Sequence, residues 1–165
     1  MPPDVLAGFR LAPEERVLAA AQDTDTRWHV GTDLALHVTG ADGIRRLLWQ
    51  RIDRASWNPD DERLMVVEVA DFGQPEPRFS LHVEQPGNLL ELVRERVSAS
   101  VLLTRNVPVA GSRGLKVIAR RAPNGTGEID WSFWLDRNLD PDDPEVLAAA
   151  ERGLAESRSE LGLAT

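Results

Sequence analysis

The sequence predicts a mainly β protein of the α+β class, and three observations support this prediction. Apolar and polar residues alternate through much of the first 85 residues, which is typical of strands with one buried face. Turn-forming residues interrupt this alternation, as in Asn58-Pro59-Asp60-Asp61. Apolar residues at helical spacing occur in two segments only, 88–97 and 143–161. We therefore expect short antiparallel strands and two helices.

The first half of the chain divides into seven candidate strands. The first candidate also contains alanines that are compatible with a helix, whereas the sixth is a β-branched run that favours a strand. The candidates are 15–21, 27–30, 34–38, 44–49, 51–57, 64–69 and 78–83.

The segment 27–38 contains two of the three histidines, His29 and His37. A two-residue turn would send the apolar side chains of its two strands to opposite faces. A three-residue loop pairs Val30 with Leu34 and puts those side chains on one face. We expect the second register, because register follows the buried face. This register turns both histidines toward solvent, so we predict no metal site there.

A helix over 88–97 follows the seventh strand. Asn88 and Glu91 have the spacing of a capping box at its start. The next segment, 99–107, is compatible with a strand or with continuation of the helix. Its alternating odd-numbered apolar residues favour the strand.

The last third predicts a hairpin followed by a helix. Strands 115–121 and 129–135 are joined by Asn124-Gly125-Thr126-Gly127, a strong turn signal. Asp143 followed by Pro144 is a standard helix start. The helix extends to Leu161 with an apolar stripe of Leu147, Ala150, Leu154 and Leu161.

The composition of the chain limits the classes of protein to which it can belong. The chain has 165 residues, a size suited to one domain or to one domain with an extension. It has no cysteine, which excludes disulfides and thiolate chemistry. No apolar run is long enough to cross a bilayer, and MPPDVLAGFR lacks the pattern of a signal peptide. We expect a soluble cytoplasmic protein without membrane insertion.

The net charge of −8 argues against nucleic-acid binding, but the charge is unevenly distributed. Residues 96–127 carry six basic residues and no acidic one, between flanks that each carry a net charge of −7. One interpretation is that this basic segment neutralises the acidic flanks. The other is that it forms a surface for an anion or an acidic partner.

The candidate binding residues lie in this basic segment and its hairpin partner. Period-two alternation puts Lys116, Ile118 and Arg120 on one strand face, next to Trp134 of the following strand. An aromatic side chain flanked by basic groups is a common binding hot spot. Arg113 lies just before them, in a glycine-containing loop. The alternative is that the C-terminal helix covers Trp134.

The sequence contains no recognised catalytic pattern. We find no P-loop, no dinucleotide-binding glycine motif, no zinc-protease motif and no nucleophile elbow. The paired carboxylates at 60–62 and 142–143 fall in a turn and at a helix start, where acids are favoured for structural reasons. We therefore predict no catalytic residue, no metal, no cofactor and no enzyme activity.

The order of elements resembles the bacterial pleckstrin-homology-like (PH-like, GRAM-related) domains. The resemblance rests on Val30-Gly31-Thr32-Asp33, Leu48-Trp49-Gln50-Arg51-Ile52 and the leucine-rich helix after Phe79–Val83. It implies a small β-barrel of seven strands closed by one helix over residues 14–98. Residues 99–165 would then form a βββα-type extension packed on it. The alternative is that the two parts form one continuous domain.

The whole chain also resembles a set of actinobacterial proteins of unknown function, and its 18 arginines against one lysine fit that origin. In lipid-binding PH-like relatives a basic cluster near the first hairpin holds phosphate. Here that region carries Asp23, Asp25 and Asp33. This departure weakens a phosphoinositide interpretation.

Together these observations predict a non-catalytic protein-interaction module. The partner is expected to be a protein, and homo-oligomers are possible. The alternative is a domain that binds a small ligand or an anion, either in the barrel mouth or at the basic strand.

Overall fold

The computed structural model describes residues 1–163, with ten strands, three α-helices and one 3-10 turn. Residues 164 and 165, the end of the predicted extension, lie outside the described residues. The helices are α1 Pro3–Ala7, α2 Asn88–Ala99 and α3 Pro144–Glu160, and the 3-10 turn is Trp49–Arg51. The strands are β1 Val17–Gln22, β2 Trp28–Thr32, β3 Ala35–Gly40, β4 Gly43–Leu48, β5 Ile52–Asn58, β6 Arg63–Glu68, β7 Arg78–His82, β8 Val101–Ala110, β9 Arg113–Arg120 and β10 Asp130–Leu135.

The strands form three antiparallel sheets, so the predicted mainly β, α+β class is confirmed. Their orders are β1-β2-β3-β4, β5-β6-β7 and β10-β9-β8. The first seven strands stay in two separate sheets, and no closed barrel is formed among the described residues. The strands β4 and β7 therefore each remain at the edge of a sheet.

Helix α2 covers the apolar cluster formed by the first two sheets. Its buried side chains are Leu89, Leu92, Val93 and Val97. It packs directly on β2, where a Cβ added to Gly31 would lie 2.5 Å from a Leu92 methyl carbon. The predicted capping box is absent: Asn88 is the first helical residue, and the helix start has no side-chain cap. Packing rather than capping stabilises this helix start.

The ambiguous segment after α2 is a strand, as favoured. The helix ends at Ala99 and β8 begins at Val101. Between them Ser100 is buried, and its carbonyl accepts a hydrogen bond from the amide of Arg121 at 2.9 Å. Pairing with the segment after β9 therefore begins where the helix stops.

Helix α3 packs on β8 and β9 through small residues. Asp143 caps it as predicted, accepting a hydrogen bond from the amide of Glu145 at 2.9 Å. The predicted apolar stripe is wrong in part, because Leu147 is 41% exposed. A Cβ on Gly153 would lie 2.6 Å from Val107 and 3.0 Å from Val117. Leu147 therefore lies outside the contact, whereas Leu154 is partly buried against the cluster. The residues buried are Val146, Ala149, Ala150, Gly153 and Ser157.

The register predicted for the β2–β3 hairpin is wrong. Val30 pairs with His37 rather than Leu34. The two strands are separated by two residues, and the hydroxyl of Thr32 accepts hydrogen bonds from the amides of Leu34 and Ala35 at 3.1 and 3.0 Å. This local hydroxyl cap favours the two-residue turn.

The prediction of solvent-facing histidines is also wrong, because His29 and His37 are 0% and 1% exposed. Cross-strand partners share a face of the sheet, so the pairing of His37 with Val30 puts the two histidines on opposite faces. They do not converge on one ligand. No group of three or more potential metal ligands occurs within residues 1–163.

Each buried histidine binds a carboxylate. Nε2 of His29 lies 2.8 Å from Asp23, and its Nδ1 accepts a hydrogen bond from the amide of Thr39 at 3.2 Å. This acceptor role leaves the ring proton on Nε2. His37 lies against the ring of Phe9, at 6.1 Å between ring centres, and its Nε2 is 2.9 Å from Glu15. The segment before β1 therefore covers the outer face of the first sheet.

The Glu15 side chain is fully buried and accepts from four groups. The hydroxyl of Thr32 donates at 2.6 Å, the amide of Ala12 at 2.7 Å, Nε2 of His37 at 2.9 Å and Arg46 at 3.3 Å. Burial by itself raises the pKa of Glu15. The hydrogen bonds from Thr32, His37 and Ala12 and the charge of Arg46 outweigh it and lower the pKa from 4.5 to about 2. Glu15 is therefore an ionised, fully bonded carboxylate in the fold.

We expect the free energy of unfolding to fall as the pH decreases from about 4.5 to about 2. The pKa of Glu15 is lower in the folded chain than in the unfolded one, so its stabilisation is present above the unfolded pKa and lost on protonation. Glu15→Gln should lower stability at neutral pH by on the order of 3 kcal/mol and flatten this acid limb. Urea unfolding at several pH values measures both effects. The control is Glu84→Gln, at an exposed side chain, which should change stability by less than about 0.5 kcal/mol. If the stability of Glu15→Gln depends on pH in the same way as that of the wild type, Glu15 is not the group responsible for the acid dependence.

Candidate functional site

The β9–β10 hairpin brings together four of the five predicted binding residues. Lys116 pairs with Trp134 and Ile118 pairs with Ser132, so they share one face with Arg120. Arg113 is the first residue of β9, pairs with Ala110 across the β8–β9 turn, and lies at the far end of the strand. The predicted cluster therefore contains Lys116, Ile118, Arg120 and Trp134 without Arg113.

Trp134 is 40% exposed and lies between two cationic side chains. The ammonium of Lys116 is 5.2 Å from the centre of its ring system, and the guanidinium carbon of Arg54 is 5.4 Å away. The indole N–H donates to Glu76 at 3.4 Å. Helix α3 packs on the other face of the sheet, against the cluster that contains Val117. The alternative that this helix covers Trp134 is therefore wrong.

Arg120 is buried, with 4% of its surface exposed. It donates to the carbonyl and the carboxylate of Asp53 at 2.9 and 3.0 Å, and to the hydroxyl of Ser132 at 3.1 Å. Burial lowers the pKa of its guanidinium, and the charges of Asp53 and Glu76 oppose that shift. Ile118 is also buried, with 8% exposed. These two residues support the site from beneath and leave Lys116 and Trp134 at the surface.

Three site residues carry no signal in the sequence: Asp53, Arg54 and Glu76. Arg54 donates to Asp53 at 2.6 Å and to Glu76 at 3.2 Å. Burial raises the pKa of Glu76, and the neighbouring charge of Asp53 raises it further, while Arg54 opposes both. These residues come from β5 and the β6–β7 loop, so only the tertiary structure places them beside β10.

A cavity of about 330 Å³ adjoins Trp134. The residues that line it include Asp53, Asp71, Glu76, Asp136 and Phe133. The Trp134 surface therefore combines an exposed indole, two cations above the sheet and a carboxylate-lined hollow at its side.

The basic segment is partly neutralised by acids, as one of the two interpretations predicted. Arg105 pairs with Glu156 and Glu160 of α3, and Arg120 pairs with Asp53. Lys116 instead lies on the indole of Trp134. Through Arg105 and Arg120 the segment therefore contacts α3 and β5.

A second cavity, of about 490 Å³, lies between the β1–β2 turn, the β3–β4 hairpin and β7. Arg27, Arg45 and Arg63 line it together with three aspartates, and Phe79 contributes an apolar wall. This is the place in the fold that corresponds best to the small-ligand alternative.

Comparison of the chain with protein-family models, curated proteins and solved structures gives no match. No helix within residues 1–163 combines the length and the apolar character needed to cross a membrane. The functional argument therefore depends on the geometry of these residues.

Arg120→Met should destabilise the fold by about 3 kcal/mol, because it removes the buried one of the two arginine partners of the Asp53 carboxylate and leaves Arg54 as the other. Arg113→Met removes an exposed arginine of the same strand and should change stability by less than about 0.5 kcal/mol. Denaturant unfolding of both variants measures the difference. Equal effects would show that Arg120 is not the structural ion pair described.

Proposed function

We propose that this chain is a non-catalytic protein-interaction module whose contact surface is Trp134 with Lys116, Arg54 and Glu76. The observation that carries the proposal is the exposed indole held by two cation–π contacts and one hydrogen bond. Tryptophan and arginine dominate the energetics of protein interfaces. An indole already fixed in position loses little conformational entropy on binding.

The proposal includes a PH-like assignment for residues 14–98. What supports it is the order of elements: four antiparallel strands, three more in a second sheet, then a helix that packs on both. The remaining chain would be the extension that carries β8–β10 and α3, with its own apolar cluster. A fold of this kind implies no activity by itself, so the interaction surface carries the functional argument.

Trp134→Ala should abolish capture of the partner, because loss of an aromatic hot spot costs about 2 kcal/mol or more, roughly a 30-fold loss of affinity. Immobilised wild-type and variant chains are incubated with lysate of the source cells, and retained proteins are quantified by mass spectrometry. Any protein that depends on Trp134 is then purified for a direct affinity measurement.

The matched control is Leu147→Ala, which removes another exposed apolar side chain, 41% exposed, on a different face. It should retain the same proteins as the wild type. If no retained protein distinguishes Trp134→Ala from the wild type, the proposed surface is wrong.

The second candidate function is binding of a small negatively charged ligand in the 490 Å³ cavity. It is favoured by the three arginines in the cavity wall and by a volume typical of small-molecule sites. Arg45 already pairs with Glu68 and Arg27 with Asp25, whereas Arg63 has no ion pair within residues 1–163. Arg63 is therefore the residue that would hold the ligand's charge.

Native mass spectrometry of the protein purified from its source should then show a bound small molecule that Arg63→Gln loses. Arg16→Gln, at a side chain that is 77% exposed, should keep it. If the wild-type spectrum shows only the mass of the unliganded protein, this function is excluded.

A further inference from the structure

A third cavity lies on the outer face of the first sheet, away from Trp134. It measures about 410 Å³, within the range of small-molecule sites. The segment before β1 forms one side of it, and β4 forms the other. Its lining residues are Gly8, Arg10, His37, Gly43, Ile44 and Arg46, so its wall holds two arginines and a histidine and no carboxylate.

The register of the sheet explains why these groups meet. His37 on β3 and Arg46 on β4 are direct cross-strand partners and therefore share a face. Phe9 packs edge-on against the ring of His37, which brings the neighbouring Arg10 to the same place. Arg10, His37 and Arg46 thus come from three separate parts of the chain.

Both arginines keep free hydrogen-bond donors. Arg46 uses one terminal nitrogen to contact Glu15 at 3.3 Å, and it makes no other ion pair within the described residues. Arg10 makes no ion pair or side-chain hydrogen bond within that part of the chain. Guanidinium groups with unused donors are well matched to the oxygens of carboxylates and phosphates.

Glu15 lies beneath the cavity and fixes the orientation of the His37 ring through a hydrogen bond. Its carboxylate is ionised and accepts only, so Nε2 of His37 is the donor in their hydrogen bond. The ring is fixed in this orientation, with 2% of the side chain exposed. His37 therefore forms a rigid part of the cavity wall. The NMR signals of its ring can report whether a ligand occupies the cavity.

We propose that this cavity binds the oxyanion head of a small organic molecule, a phosphate monoester or a carboxylate, on the guanidinium groups of Arg10 and Arg46. The bound anion would connect the segment before β1 to β4 and hold that segment on the sheet. The 490 Å³ cavity differs from it, because three aspartates line that wall beside its arginines. This site is independent of the Trp134 surface.

The test is an NMR titration of the whole chain with inorganic phosphate and, separately, with acetate, at constant ionic strength set by sodium chloride. At least one of the two probes should shift the amide signals of Arg46 and the ring signals of His37 in a saturable way, with a Kd below ~10 mM for so small a ligand. Saturation by phosphate alone assigns a phosphate monoester, and saturation by acetate alone assigns a carboxylate. Saturation by both assigns a general oxyanion site.

Arg10→Gln is the decisive variant, because Arg10 has no structural partner and its loss should leave the fold intact. It should weaken binding about tenfold, as expected for one charge-assisted hydrogen bond. Arg46→Gln should do the same, although it also removes a partner of Glu15. The control is Arg45→Gln: Arg45 neighbours Arg46 but pairs with Glu68 and lies over Phe79, so binding should not change.

Two results would overturn the proposal. One is the absence of a saturable shift at His37 and Arg46 with either probe. The other is identical binding by Arg10→Gln and the wild type. Trp134→Ala should bind both probes as the wild type does, which keeps this test separate from that of the interaction surface.

Discussion

The ion pair between Arg120 and Asp53 is a buried contact that joins the C-terminal sheet to the first seven strands. Arg120 is 4% exposed and contacts both the backbone and the side chain of a residue 67 positions away. A buried ion pair contributes little net stability, because desolvation offsets attraction, but its geometry is specific. Here that geometry brings β5 beside β9, so that Arg54 reaches the indole of Trp134. The neighbours of the exposed Trp134 side chain are therefore held in position by the Arg120–Asp53 ion pair beneath it.

Buried charge recurs on the first sheet, where both histidines are held by carboxylates. Asp23 and Glu15 each accept several hydrogen bonds, so the polar groups on both faces of the hairpin are satisfied. Hydrogen-bonded polar groups can be buried at low cost, whereas unpaired ones cannot. The segment before β1 supplies Glu15 and Phe9, and this covering layer encloses the cavity beside Arg46. One covering segment thus explains the buried histidine and the basic cavity together.

The candidate site could be predicted from the sequence only as far as its hairpin. The turn residues at 124–127 and the period-two pattern were sufficient to predict that Trp134 lies beside the face of Lys116, and the structure adds that the two residues are direct cross-strand partners. They were not sufficient to show that Arg120 is buried, because its partner Asp53 comes from a distant strand. Glu76 lies 58 residues from Trp134 and has no pattern of its own. Contacts of that separation leave no periodic signal in a sequence.

The sequence by itself determined the order and type of most elements, including the α+β class and the Asp143 start of α3, and it favoured the strand after α2. These features depend on short-range chemistry: alternation, turn residues and caps. The sequence did not predict α1. The tertiary structure decided which faces are covered. Alternation of histidine with apolar residues indicates an exposed face only if nothing packs there, and Phe9 with Glu15 packs on His37. It also decided that Gly153 rather than Leu147 contacts the sheet, because helix and strands approach too closely for a side chain between them.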